Sequence, residues 1–145
     1  MADLLTKERR SWNMSRIKSS NTKPEKLVRS LLHRMGYRFR LHGKISKKAY
    51  AKGILPGKPD IVLAKYRTVI FIHGCFWHRH EGCSRATQPK TNIEYWYNKL
   101  KKNVTSDFIN KKLIEDMGWR VLIIWECEIK DRVRLKDILF QELKF

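Results

Sequence analysis

One run of eleven residues, His73-Gly-Cys-Phe-Trp-His-Arg-His-Glu-Gly-Cys83, constrains this chain more than any other. It holds three of the five histidines and two of the three cysteines, around two adjacent aromatics, Phe76 and Trp77. Cys75, His80 and Cys83 are spaced C-x4-H-x2-C, and the remaining cysteine, Cys127, lies 44 residues beyond Cys83. Three thiolates and one imidazole suit Zn²⁺ in a closed tetrahedral site, which leaves no open position and is therefore structural. Such a site would pin a long loop to the end of the apolar run Trp119–Trp125, so the fold must bring these two segments together. An odd number of cysteines is awkward for a disulfide framework and natural for a metal site completed by histidine. It points to a reducing, cytosolic compartment. His73 and His78 are alternative imidazole donors, so the spacing leaves the choice of histidine open.

The remainder reads as a mixed α/β sheet with helices packed on it. Residues 1–20 are basic and polar and read as an arm lying on a partner; residues 21–145 form a single domain. Thr22-Lys-Pro-Glu25 is a capping box, with a helix from about Lys23 to Met35 carrying Leu27, Val28, Leu31 and Leu32 on one face. Tyr37–Leu41 alternates apolar and basic residues as a half-exposed strand does. Residues 42–58 read as a flexible basic loop. Ile61–Ala64 and Thr68–Ile72 predict a β-hairpin around Lys65-Tyr-Arg67. Two helices follow, Ile93–Lys102 and Asp107–Met117. Trp119–Trp125 reads as a buried strand by its unbroken apolar run, and Arg132–Leu143 as a last helix.

A phosphodiester-cutting chemistry is suggested by Pro56-Gly-Lys-Pro-Asp60. An acidic residue after a proline, opening an apolar strand, can hold Mg²⁺ against a scissile phosphate. The hairpin would set Ile72 and His73 beside Asp60, so that the backbone carbonyl of Ile72 could complete the metal site and His73 could position water or phosphate. His78 could act as general acid or base, since imidazole titrates near neutrality; as a plain loop residue it would be solvated. Glu25 and Asp107 have simple readings as a capping-box member and a helix-start residue, though either could reach a metal through water.

Net charge sharpens the choice of partner. Thirty-two lysines and arginines against fourteen acids give +18 at pH 7, which calls for a polyanion: nucleic acid first, an anionic membrane surface second. Aromatics interleaved with the basic residues favour nucleic acid, because aromatic faces stack on bases and apolar wedges unstack them. Phe76 and Trp77 are the first such group. Tyr95-Trp96-Tyr97 is the second, with part of it in the helix core, and Trp119 and Trp125 read as core. No segment has the roughly 18 consecutive apolar residues of a membrane span, and the N-terminus lacks a signal-peptide pattern.

Several blocks together resemble the very short patch repair (Vsr) endonucleases: Trp12-Asn-Met-Ser-Arg-Ile17, Pro56–Asp60, Phe71-Ile-His-Gly-Cys-Phe-Trp-His78, Lys90-Thr-Asn, Glu94-Tyr-Trp96, Asn103-Val-Thr-Ser-Asp107 and Gly118-Trp-Arg-Val-Leu-Ile-Ile-Trp-Glu-Cys127. They cover nearly the whole chain in order. The resemblance implies a restriction-endonuclease-like fold with an inserted zinc site. It implies a Mg²⁺-dependent nick in double-stranded DNA, 5′ to the thymine of a T:G mismatch left by deamination of 5-methylcytosine. By position, Asp60 would be the central Mg²⁺ ligand beside the Ile72 carbonyl. Glu25, His73 and Asp107 would surround the metal's waters, and His78 would be the general base. Phe76, Trp77 and Trp96 would enter the DNA as a wedge, with Met14 entering from the opposite groove. Cys75, His80, Cys83 and Cys127 would hold structural zinc. Ile72 stands where better-known members carry threonine, which spares a backbone carbonyl and removes any hydroxyl role. The zinc loop is longer than in the shortest members, and the chain ends soon after its last helix.

The expectation is thus a monomeric, nucleoid-associated cytoplasmic mismatch nickase that initiates very short patch repair, with repair partners unspecified. A nickase of the same fold with another target and a non-catalytic zinc-containing DNA-binding module are the competing readings. The module leaves Asp60 and its neighbouring histidines without a task.

Overall fold

The structure is a computed structural model, and it describes residues 22–143. The N-terminal arm with Met14 lies outside the described residues. Helix α1 (Lys23–Arg34) starts at Thr22, whose side chain accepts the backbone N–H of Glu25 at 3.4 Å. Pro24 sits in the first turn, where a missing N–H costs nothing. The Glu25 carboxylate turns inward and accepts a bond from Arg29 at 3.2 Å.

A four-stranded sheet runs β1 (Arg40–Leu41), β2 (Ile61–Leu63), β3 (Thr68–His73), β4 (Arg120–Trp125) in spatial order. The first two pairings are antiparallel and β3–β4 is parallel, with His73 opposite Trp125. The hairpin falls where the two apolar runs on either side of Lys65–Arg67 placed it. Its connection is a 3₁₀ turn (Ala64–Tyr66) closed by Arg67 in the left-handed region at φ 48°. The expected strand over Tyr37–Leu41 shrinks to two residues. Tyr37 and Phe39 pack on the core from irregular backbone instead.

Helix α2 (Ile93–Asp116) is continuous for 24 residues, in place of the two helices expected. Asn103-Val-Thr-Ser106 contains neither glycine nor proline, and polar and β-branched residues cost only tenths of a kcal/mol each in a helix. A weak propensity dip therefore cannot break it. Helix α3 (Arg132–Glu142) closes the described chain, capped by Asp131.

The period-2 alternation of the strands sends side chains to two core layers. On one face Ile61, Leu63, Ile70 and Ile124 meet Val28 and Leu32 of α1 and Leu135 and Leu139 of α3. On the other, Val62 and Val69 meet Ile114 of α2 together with Ile45 and Leu55. The last two come from the 42–58 segment, which is folded onto the sheet rather than loose. Strand β4 is less buried than its apolar run suggests: only Ile124 is nearly inaccessible, and the others are half-buried or exposed. Each fully buried Leu or Ile contributes roughly 1.5–3 kcal/mol of transfer free energy. No helix among the described residues is long and apolar enough to cross a membrane.

Candidate active site and cysteine–histidine centre

The β2–β3 ladder ends at Ile61 opposite Ile70. Asp60 lies one residue beyond, and its carboxylate accepts the Ile72 N–H at 2.7 Å. A strand residue turns its N–H and C=O to the same edge, so the Ile72 carbonyl faces the same side. Burial raises the Asp60 pKa to about 6. The Ile72 hydrogen bond works against this, and the nearby Glu25 carboxyl adds to it. Glu25 itself is 4% exposed.

Gly57 explains how this corner is held. Its φ is +74°, and a Cβ there would lie 2.9 Å from Asn110 of α2. The Pro56–Asp60 turn is therefore pressed against the helix that carries Asp107.

Asp107 is inside α2, not at a helix start. The His78 Nδ1 is 2.5 Å from one carboxylate oxygen, and the His73 Nε2 is 4.0 Å from the other. The two imidazoles stack with centroids 3.8 Å apart and planes 8° apart. Burial lowers the His73 pKa to about 4, and the charge of His78 pushes the same way. His73 is thus neutral near pH 7, and its Nδ1 has no hydrogen-bond partner among the described residues. The donors of His73, His78 and Asp107 lie within 4.8 Å of one another, a set that could hold a metal ion; Asp60 is not part of it. Glu25, Asp60, Ile72, His73, His78, Asp107 and Lys111 line one cleft of about 540 Å³.

Cys75, His80, Cys83 and Cys127 form a second cluster, again with donors within 4.8 Å of one another. The His80 Nδ1 is 3.4 Å from the Cys127 Sγ. The parallel β3–β4 register produces this meeting, because both strands leave the sheet at the same end. Burial raises the Cys75 pKa to about 12, whereas an N–H bond from Arg85 lowers that of Cys83. The loop is stapled by Arg79, at φ 54°. Its guanidinium donates to the carbonyls of Phe76, Ala86 and Thr87 at 2.9–3.3 Å.

Phe76, Trp77 and Trp96 form a half-buried triangle with centroids 5.2–5.8 Å apart. Asn103 holds it by donating to the Trp77 carbonyl at 3.1 Å. Tyr95 and Tyr97 are 58% and 60% exposed, so neither belongs to the core.

Sequence reasoning missed four contributors. Trp125, read as core, stacks on His80 at 4.2 Å and turns its edge to His73 at 5.2 Å, forming a wall between the two centres. Its position opposite His73 in the sheet was the available signal. Asn103, Asn110 and Lys111 share a helix face with Asp107 through i, i+3 and i+4 spacing. That face could be seen only once the helix was known to be continuous.

Three sets of side chains thus meet at one end of the sheet: acid and imidazole, thiol and imidazole, and exposed-edge aromatics. A family model described as DNA mismatch endonuclease Vsr matches residues 2–85. The type II nicking enzyme V.XorIIP of Xanthomonas oryzae pv. oryzae is 46% identical over 143 residues, covering 96% of this chain and 98% of that protein. The DNA mismatch endonuclease Vsr of Escherichia coli K12 is 42% identical over 137 residues, covering 94% and 81%. The type II nicking enzyme V.NmeAIP of Neisseria meningitidis is 42% identical over 139 residues, covering 96% and 92%. These relatives make the chain a DNA endonuclease, a hydrolase of the phosphodiester backbone. It belongs to the Vsr family.

Proposed function

We propose that this protein nicks double-stranded DNA 5′ to the thymine of a T:G mismatch, in a Mg²⁺-dependent hydrolysis that initiates very short patch repair. The supporting observation is that Asp60, His73, His78 and Asp107 line one cleft in a chain of Vsr ancestry. The domain from residue 21 onward has the restriction-endonuclease-like frame, with the basic arm of residues 1–20 on the DNA. One copy serves one asymmetric mismatch.

The donor set fits the metal. Asp60 and the Ile72 carbonyl offer the hard oxygens that Mg²⁺ prefers, and the elevated Asp60 pKa marks a buried carboxylate that a cation would relieve. When bound, Mg²⁺ would neutralise charge building on the scissile phosphate. Glu25, His73 and Asp107 orient the surrounding water. Asp107 accepts a hydrogen bond from the His78 Nδ1–H, leaving Nε2 to accept a proton from the attacking water. His73, neutral and stacked on His78, fixes that ring in place. The soft set Cys75, His80, Cys83 and Cys127 fits a closed, structural Zn²⁺. It would immobilise the loop carrying His78, Phe76 and Trp77. The aromatic triangle would wedge into the stack beside the mismatch, with Met14 of the arm on the opposite side.

The test compares T:G and fully paired duplexes with Mg²⁺, using Asp60→Ala as control. A nick confined to the T:G duplex and abolished by the substitution is expected. The names of two relatives, type II nicking enzymes, support a second reading: a nickase with another mismatch or sequence target. Equal cutting of the paired duplex would select it. Binding without cleavage under any divalent metal would leave only a DNA-binding module.

A further inference from the structure

The segment leading into Asp60 has a charge distribution that the nicking site does not use. Between Glu25 and Asp60 the sequence has no acidic residue. Within it, Lys44, Lys47, Lys48, Lys52 and Lys58 are all exposed. On α2, by contrast, Glu94, Asp107, Glu115 and Asp116 accompany the lysines.

This segment is also rigid where it joins the body. Ile45 and Leu55 are buried against Val62, Val69 and Ile114. Lys44 pairs with Ile54 across a short antiparallel bridge. The Ile45 N–H donates to the Gly53 carbonyl at 3.0 Å, and the Leu55 N–H to Gly43 at 2.9 Å. At the base, a Cβ on Gly43 (φ +73°) would meet the Lys58 Cα at 3.0 Å, so the two ends of the segment touch. The tip is a compact turn in which the Tyr50 N–H donates to Ser46 at 3.0 Å and Gly53 to Tyr50 at 2.9 Å. Lys47, Lys48 and Lys52 therefore stand on a fixed platform, and ordering them on a ligand costs little backbone entropy. Its base lines the cleft: His42, Gly57 and Lys58 are on the cleft wall with Asp60.

We infer that the Gly43–Lys58 excursion is a phosphate clamp. Lys47, Lys48 and Lys52 grip the DNA backbone on one flank of the cut and contribute to affinity without reading the mismatch. Point-like ammonium groups that carry no acceptor suit phosphate oxygens rather than base edges, and the aromatic of the tip, Tyr50, packs inward on the Ile45–Leu55 cluster. The inference rests on DNA being the substrate, not on which mismatch is cut.

The test replaces the three tip lysines together, K47Q/K48Q/K52Q, and as a charge-retaining control K47R/K48R/K52R. Binding to T:G and paired duplexes is measured against salt, beside single-turnover nicking at saturating protein. Each lost phosphate contact should flatten the log Kd against log salt slope by nearly one. The Gln variant is expected to lose about two to three units of slope and about 10–10²-fold in affinity, equally on both duplexes. Its nicking rate at saturation should stay within about twofold of wild type, and the Arg variant should keep the wild-type slope. An unchanged slope would overturn the clamp. So would a loss confined to the mismatched duplex, or a collapse in saturated rate at constant slope. Failure of the T:G reading would appear separately, as equal nicking of both duplexes by wild type.

Discussion

The His78 Nδ1 lies 2.5 Å from the Asp107 carboxylate, across 29 positions of sequence. The acid fixes which ring nitrogen carries the proton and which faces the cleft. General-base catalysis of this kind contributes about 10²–10⁴-fold. His78→Ala should slow single-turnover nicking by that factor, and Asp107→Asn by about 10–10²-fold. Because they act as a unit, the double variant should be little slower than His78→Ala alone. Multiplying penalties would show that the pair does not work together.

On the proposed assignment, Asp60 would link Mg²⁺ binding to pH. Its pKa is raised to about 6 from 3.8, so Mg²⁺ must displace a proton below that point. Mg²⁺ affinity, measured directly by calorimetry, should rise from pH 5 to pH 7 and then level. A direct binding measurement separates this from proton transfer in catalysis. A flat profile would exclude Asp60 as the ligand.

The same shift bears on stability without Mg²⁺. A carboxyl whose folded pKa is raised contributes stability below its unfolded value that is lost as pH rises through about 6. Asp60→Asn should therefore be more stable than wild type at pH 7–8, by about 1–2 kcal/mol after allowing for partial exposure. His73 has the opposite sign. Its folded pKa of about 4 gives stability that is present above 6.5 and lost as pH falls toward 4. Chemical denaturation of wild type, Asp60→Asn and His73→Ala across pH 4–8 checks the two slopes.

Metal removal should unfold the loop. Cysteine thiols must ionise to bind zinc, and Cys75 resists ionisation until a cation is present. The folded protein is expected to release one equivalent of zinc on thiol modification, read with a chromogenic chelator. Cys127→Ser should lower the melting temperature by about 10 °C or more. A full-length protein without zinc but with wild-type stability would rule the assignment out.

Trp77 packs edge-on to Phe76 and tilted to Trp96. Stacking on bases is worth about 1–3 kcal/mol. Trp77→Ala should therefore weaken T:G binding about 10–10²-fold, with less than threefold change on paired DNA. Equal losses on both duplexes would make the triangle a plain structural cluster.

Much of the scaffold was legible. Thr22 with Pro24, and the apolar runs Ile61–Ala64 and Thr68–Ile72 on either side of Lys65–Arg67, each carry a local signal with one physical meaning. The 42–58 segment and the joined helix were not, because Ile45, Leu55 and Asn103 are fixed by contacts far away in sequence. For the site, residue types were readable and their partition was not. The spacing within His73–Cys83 allowed any of three imidazoles to join the thiols. Only the parallel β3–β4 register sets His80 beside Cys127 while leaving His73 and His78 facing Asp107.

That register has a consequence for how the protein is made. Strand β4 and Cys127 come from the last fifth of the chain, yet the β3–β4 seam underlies the loop bearing His78. The N-terminal two thirds, though they contain Asp60, His73 and His78, lack both the neighbour strand and the fourth thiol. Contacts this distant form late. A nascent or truncated chain ending before Arg120 therefore holds the proposed cutting residues without the strand and the thiol that flank them in the folded protein.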